Sequence, residues 1–189
     1  MSGLAWDGLA SPNGRWLLTL YLNTLRNSAF IHTLDLINRY PVCIDLPSGD
    51  GDFNALKHYA LALSADGRKV YATNVALGVV AEVNLDELKV TRTITFDTNS
   101  VTPEYDPLSP TARSVLSQDG LTLYFADGMD IWAYNTRSNQ VSGPYTVDTP
   151  VVGLDVSTNG RQLYVAAADH APLVLDAASG AVIEFLARR

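Results

Sequence analysis

Apolar residues along this chain fall in short runs broken by turn-forming residues, not at helical intervals, and the stretch from Tyr59 to Phe96 shows the pattern best. An apolar run from Tyr59 ends at Ser64, and Asp66-Gly67 reverses the chain. Val70 to Thr73 then return with β-branched and aromatic side chains suited to a pleated surface. A second turn precedes Val79 to Val83, and a third, Leu85 to Leu88, leads into Val90 to Phe96. Four consecutive strands are predicted.

The first turn of this unit recurs. Ser11-Pro12-Asn13-Gly14, Ser64-Ala65-Asp66-Gly67, Ser117-Gln118-Asp119-Gly120 and Ser157-Thr158-Asn159-Gly160 share one chemistry, with glycines 53, 53 and 40 residues apart. Asn-Gly and Asp-Gly tolerate the positive φ of tight hairpins, so both residues of each pair are expected there. Three residues past each glycine stands Leu17, Val70, Leu123 or Leu163, and one further stands Leu18, Tyr71, Tyr124 or Tyr164. Apolar residues on both faces suit a sheet packed between neighbours. Asp35, Asn84, Asn135 and Asp176 follow the third strands, where a short polar side chain can cap a turn, and the fourth strands contain Val42, Val90, Val141 and Val182. A period near 40 holding four strands marks a propeller blade. The expected fold is therefore all-β, a β-propeller with four blades of four antiparallel strands. The blades cover about 4–46, 58–96, 111–146 and 151–187 of a single domain, with long connections at 47–57 and 97–110.

Tyr71-Ala72-Thr73-Asn74 resembles the motif of the YVTN-type β-propeller repeat, a family related in plan to WD40 and surface-layer propellers, with Ala in place of Val. Tyr124-Phe125-Ala126-Asp127, Tyr164-Val165-Ala166-Ala167 and Leu18-Thr19-Leu20-Tyr21 depart from it progressively. The resemblance covers almost the whole chain and implies fold more than activity, because such propellers include binding modules, lactonase-like enzymes and haem-dependent reductases. Haem ligation would need a channel histidine, and only His58 is roughly in place, so that activity is not carried over.

Composition narrows the function classes. A net charge of -7 and a pI near 4.7, with no basic stripe, disfavour a nucleic-acid partner. No segment reaches the roughly 18 apolar residues of a membrane helix, so a soluble chain without membrane insertion is expected. No signal peptide is read in the sequence. The chain is expected to be cytoplasmic, or extracytoplasmic as part of a longer exported protein. The one cysteine, Cys43, lies in a predicted strand from Tyr40 to Leu46 and is expected to be a buried, inert thiol. Family members usually close at seven or eight blades. Four blades left as an arc would expose two apolar sheet faces, so a homodimer that completes the propeller, or a place in a larger propeller protein, is expected in preference to a tight four-bladed ring.

Candidate site residues cluster at the entry ends of the first strands, which line the channel of a propeller. Arg113 with Asp7 or Asp155 is suited to hold a small polar ligand at the channel mouth, between Trp6 and Tyr59 as apolar walls and near His58. The long connections and the loop Asn23 to Ser28 fall on one face, which makes it the expected surface for a protein or small polar ligand. Asp50, Asp52 and Asn54 have the alternate spacing that opens a calcium loop. Ala55 then stands where that loop needs glycine, and Leu61 where it needs glutamate, so no cofactor is expected and calcium is the one metal considered. His32 reads as an inter-blade residue. His170, in Asp169-His170-Ala171-Pro172, has no evident partner, and no metal-spaced histidine pair or Gly-x-Ser-x-Gly elbow occurs. The expected function is a non-catalytic scaffold or binding module, with a lactonase-like hydrolase using Asp7, Asp155 and His58 as one alternative and a structural part of a larger cell-surface propeller protein as the other.

Overall fold

A computed structural model describes residues 3–50, 52–98, 113–168 and 170–186. Among the described residues sixteen strands are formed. They are β1 (Leu4–Ala10), β2 (Trp16–Asn23), β3 (Ser28–Asp35), β4 (Tyr40–Asp45), β5 (Tyr59–Leu63), β6 (Lys69–Asn74), β7 (Val79–Asn84) and β8 (Lys89–Thr95), followed by β9 (Arg113–Leu116), β10 (Thr122–Asp127), β11 (Asp130–Asn135), β12 (Gln140–Thr146), β13 (Val151–Val156), β14 (Gln162–Ala167), β15 (Leu173–Asp176) and β16 (Val182–Phe185). Consecutive strands pair antiparallel into four sheets of four, which matches the four-blade pattern of the sequence. The sheets group into two compact units, residues 1–99 with the first and second sheets and 100–189 with the third and fourth.

Local chemistry explains why each hairpin closes where it does. In every first turn the serine hydroxyl donates to the Asn or Asp two residues on, at 2.6 to 2.8 Å, and accepts from the main-chain N–H five residues on. Only the glycine takes positive φ, at 68 to 71°, so Asn13, Asp66, Asp119 and Asn159 act through their side chains and not through backbone tolerance. The third turns use the capping set foreseen in the sequence. Asp35, Asn84, Asn135 and Asp176 each accept the main-chain N–H groups two and three residues ahead.

In the first unit, Trp16, Leu18, Leu20, Leu22 and Ile31 of the first sheet share a core with Tyr59, Leu61, Val70 and Val83 of the second. Burial of each such leucine is worth about 2 kcal/mol. The second unit repeats the arrangement, with Tyr124, Ala126, Ile131 and Ala133 against Leu163, Val165, Leu173 and Leu175.

Four expectations need correction. The first sheet is packed on one face only, because β2 alternates and leaves Leu17 exposed. Cys43 is exposed, not buried: it lies on the edge strand β4 opposite His32, on the face that points away from the core, with Sγ 3.7 Å from His32 Nδ1. His32 correspondingly lies on that open face, edge-on to Tyr21. The connection 47–57 also contains a one-turn helix, α1 (Phe53–Leu56), fixed by Asp52 accepting from the Asn54 N–H and by the fully buried Leu56. Of the second long connection, 97–110, residues 99–110 lie outside the described residues. Among the described residues no helix is long and apolar enough to cross a membrane.

Candidate functional site

The first strand of each sheet is an edge strand, and an edge leaves main-chain N–H and C=O groups without ladder partners. The sequence-predicted site residues sit on these edges. In β1 the register slips at Trp6, which has no opposite residue on β2, and such a bulge re-aims the side chains beside it. Trp6 Nε1 donates to the Lys57 carbonyl at 2.8 Å. Asp7 Oδ2 accepts the Leu61 N–H at 2.9 Å, so its carboxylate satisfies a donor on β5, the edge of the next sheet. The second unit uses the opposite polarity. Arg113 Nε donates at 2.7 Å to the carbonyl of Val152, the bulged residue of β13. By count from the turn glycines Asp7 and Arg113 occupy one position of the repeat, seven residues before Gly14 and Gly120. Each ties its sheet to the following one.

The rest of the set is equally local. Tyr59 is fully buried, its hydroxyl donates to the Pro47 carbonyl at 2.5 Å, and burial pushes its phenol well above the usual tyrosine range. It thereby anchors the start of the connection 47–57. His58 is buried immediately before it, with its main-chain N–H on the Ala55 carbonyl. Trp6, Asp7, His58 and Tyr59 thus gather at the seam of the first unit. Arg113 and Asp155 lie in the second unit. Asp155 is exposed, accepts its own chain's Val156 N–H, and borders a shallow, mostly apolar hollow of about 260 Å³ with Gly153, Tyr164, Ala166 and Pro172.

In the segment considered for calcium, Asp52 caps α1 and Asn54 accepts from Lys57 Nζ at 3.2 Å, while Gly51 is outside the described residues. Among the described residues no group of three His, Cys, Asp or Glu side chains is placed to hold a metal ion. His170 is exposed, and its neighbour Asp169 is outside the described residues.

Sequence reasoning missed a charge network at the opposite, turn-bearing end of the first unit. Arg15 donates through Nε and Nη2 to Asp35 Oδ2 at 3.1 and 3.0 Å, and its Nη1 lies 3.7 Å from Asp86, which pairs with Arg68 at 2.6 Å. Burial opposes ionisation of Asp35, but hydrogen bonds from Asn38, Arg15 and Ile37 outweigh it and hold its carboxyl down to about 2. The signal for Asp35 was its place after the third strand; nothing in the sequence pairs it with Arg15. A second missed feature is a polar hollow of about 350 Å³ between the sheets of the second unit. The Tyr124 and Tyr145 hydroxyls there donate to the carbonyls of Ala177 and Ala178 at 3.1 and 3.0 Å.

Four repeated four-stranded antiparallel sheets, seamed in pairs through their faces, define a protein of the β-propeller class, present here as a partial propeller. Comparison with solved structures agrees on the fold. A chain of Kuenenia stuttgartiensis hydrazine synthase superposes with a TM-score of 0.67 at 18% identity, over 95% of this chain and 48% of that one. The present chain thus spans about half the length of that relative. No protein-family model and no curated protein matches the sequence.

Proposed function

We propose that this chain is a non-catalytic propeller scaffold that presents a loop-bearing end of its sheets to a protein or a small polar ligand. The observation that carries this reading is the use made of the first-strand side chains. Asp7 and Arg113 are each spent on tying one sheet to the next and Trp6 on tying the first sheet to the connection 47–57, which leaves them as parts of the frame. In the first unit the loop end is firmly built: Ala29 N–H donates to Ser48 Oγ, Asn74 Nδ2 to the Ala55 carbonyl, and Tyr59 to Pro47. Against that support Leu25 stands 85% exposed next to exposed Arg26, and Asp52 and Asn54 are exposed on the connection 47–57. A rigid platform with exposed, chemically mixed loop tips suits recognition, since little ordering is left for a partner to impose.

The test is a panel of peptides and small polar compounds screened by thermal shift and calorimetry, with chromogenic lactones and esters assayed in parallel, with and without divalent ions. The expected result is saturable binding weakened at least tenfold by Leu25→Ser with Arg26→Ala, and no turnover. Metal-dependent hydrolysis lost on Asp7→Asn would overturn the reading and favour the lactonase-like alternative.

A further inference from the structure

The repeat permits each position to be compared with its equivalents, and two sheet faces stand out as seams without a partner. Inside each unit the seam has a fixed composition. One sheet offers the residues four and six past its turn glycine, Leu18 and Leu20 or Tyr124 and Ala126. The next sheet offers those three and five past, Val70 and Ala72 or Leu163 and Val165. The first sheet also has a face of the second kind, formed by Leu17, Thr19 and Tyr21 with their cross-strand neighbours Leu34, His32 and Phe30. The fourth sheet has one of the first kind, formed by Tyr164 and Ala166 with Asp155 and Val174. Leu17 is 45% exposed where Val70 and Leu163 are 0% and 1%; Tyr164 is 37% exposed where Tyr124 is 5%. Leu17 and Leu34 on one face, and Tyr164, Ala166 and Val174 on the other, are of the types the closed seams use, with Thr19, His32 and Asp155 as polar departures, and the two faces are of opposite kinds.

We infer that these faces are the two halves of one interface, closed between two copies of this chain, the Tyr164 face of each seated on the Leu17 face of the other. The inference rests on the propeller repeat and is independent of which ligand the loops recognise. A second copy is the occupant because it brings the complement of each face. Four strands about 4.8 Å apart and about 17 Å long present a face of roughly 330 Å², and two seams would bury roughly 1,300 Å², within the range of stable specific interfaces. The internal seam also supplies the polar contact. Tyr124 donates to the carbonyl of Ala177, the residue after the cap Asp176. Tyr164 now donates only to Gln162 on its own strand, at 3.2 Å. In the closed seam its hydroxyl takes the corresponding carbonyl, that of Leu36 after the cap Asp35.

Light scattering on the purified chain at micromolar concentration tests this. The expected mass is twice the 20.5 kDa of one chain. Leu17→Glu and Tyr164→Asp, both at exposed positions, are each expected to give single-chain mass with the strand signal in circular dichroism unchanged. Cys43, on the same face as Leu17, gives a local readout: its maleimide labelling in wild type is expected to be at least tenfold slower than in Leu17→Glu. A wild-type mass of one chain at every concentration overturns the inference. So does an open series of larger masses, or a two-chain species that both variants leave intact.

Discussion

Replacing Asp7 by alanine removes the acceptor of the Leu61 N–H, and Leu61 is 3% exposed, so water reaches that donor poorly. A hydrogen bond to a charged acceptor contributes about 1.5–3 kcal/mol, and an orphaned buried donor costs about 1–3 kcal/mol. These are one loss seen from two sides, not two to be added. Asp7 is itself only half-buried, which places the expected destabilisation near 2 kcal/mol. For a cooperative unit of about a hundred residues, that lowers the first thermal transition by about 10 °C. Asp7→Asn keeps a carbonyl acceptor without the charge and is expected to lose about half as much. Amide exchange supplies the local measurement: Leu61 is expected to exchange about 30-fold faster in Asp7→Ala, as 1.4 kcal/mol corresponds to a factor of ten. An unchanged melting midpoint together with unchanged Leu61 exchange would refute the framing role and return Asp7 to the candidates for ligand contact.

The same reasoning extends to four further positions. Arg113→Met keeps the aliphatic stem but removes the donor to Val152; a loss of about 1 kcal/mol is expected in the second unit, measured by urea denaturation. Gly78→Ala is expected to cost several kcal/mol, because Gly78 has a φ of +60° and a Cβ there would fall on the main-chain carbonyl oxygen of Phe96. Gly14→Ala, at a similar φ but facing open space, is expected to cost only about 1 kcal/mol, and equal midpoints for the two variants would refute the steric argument. For pH, the Asp35 pKa is held at about 2 in the folded chain against 3.8 for an ordinary aspartate, so the ionised form is the one folding favours. Its stabilisation is complete above the unfolded value and is lost as pH falls through about 2. Asp66, Asp119 and Asp176 are lowered in the same direction, chiefly by hydrogen bonds from Ser64, Ser117 and Ser179. Urea midpoints are therefore expected to drop between about pH 4 and pH 2, with a shallower drop in Asp35→Asn, and a flat profile would contradict the assignment.

The strands, their order and their turns were legible in the chain's letters, because each depends on residues only a few positions apart. Ser64-Ala65-Asp66-Gly67 contains all the groups its turn needs, and Asp35 or Asn135 caps its own turn whatever else the chain does. Repetition of such local solutions, 40 to 53 residues apart, revealed the four sheets without reference to a core. The tertiary structure decided what the first strands do. That Asp7 meets the Leu61 N–H, 54 residues away, and Arg113 the Val152 carbonyl, 39 residues away, depends on how one sheet lies on the next and on the bulges at Trp6 and Val152. Exposure was decided there too. Leu17 and Val70 are equivalent letters of one repeat, yet only Val70 has a neighbouring sheet against its face, and burial belongs to the pair of faces and not to the residue.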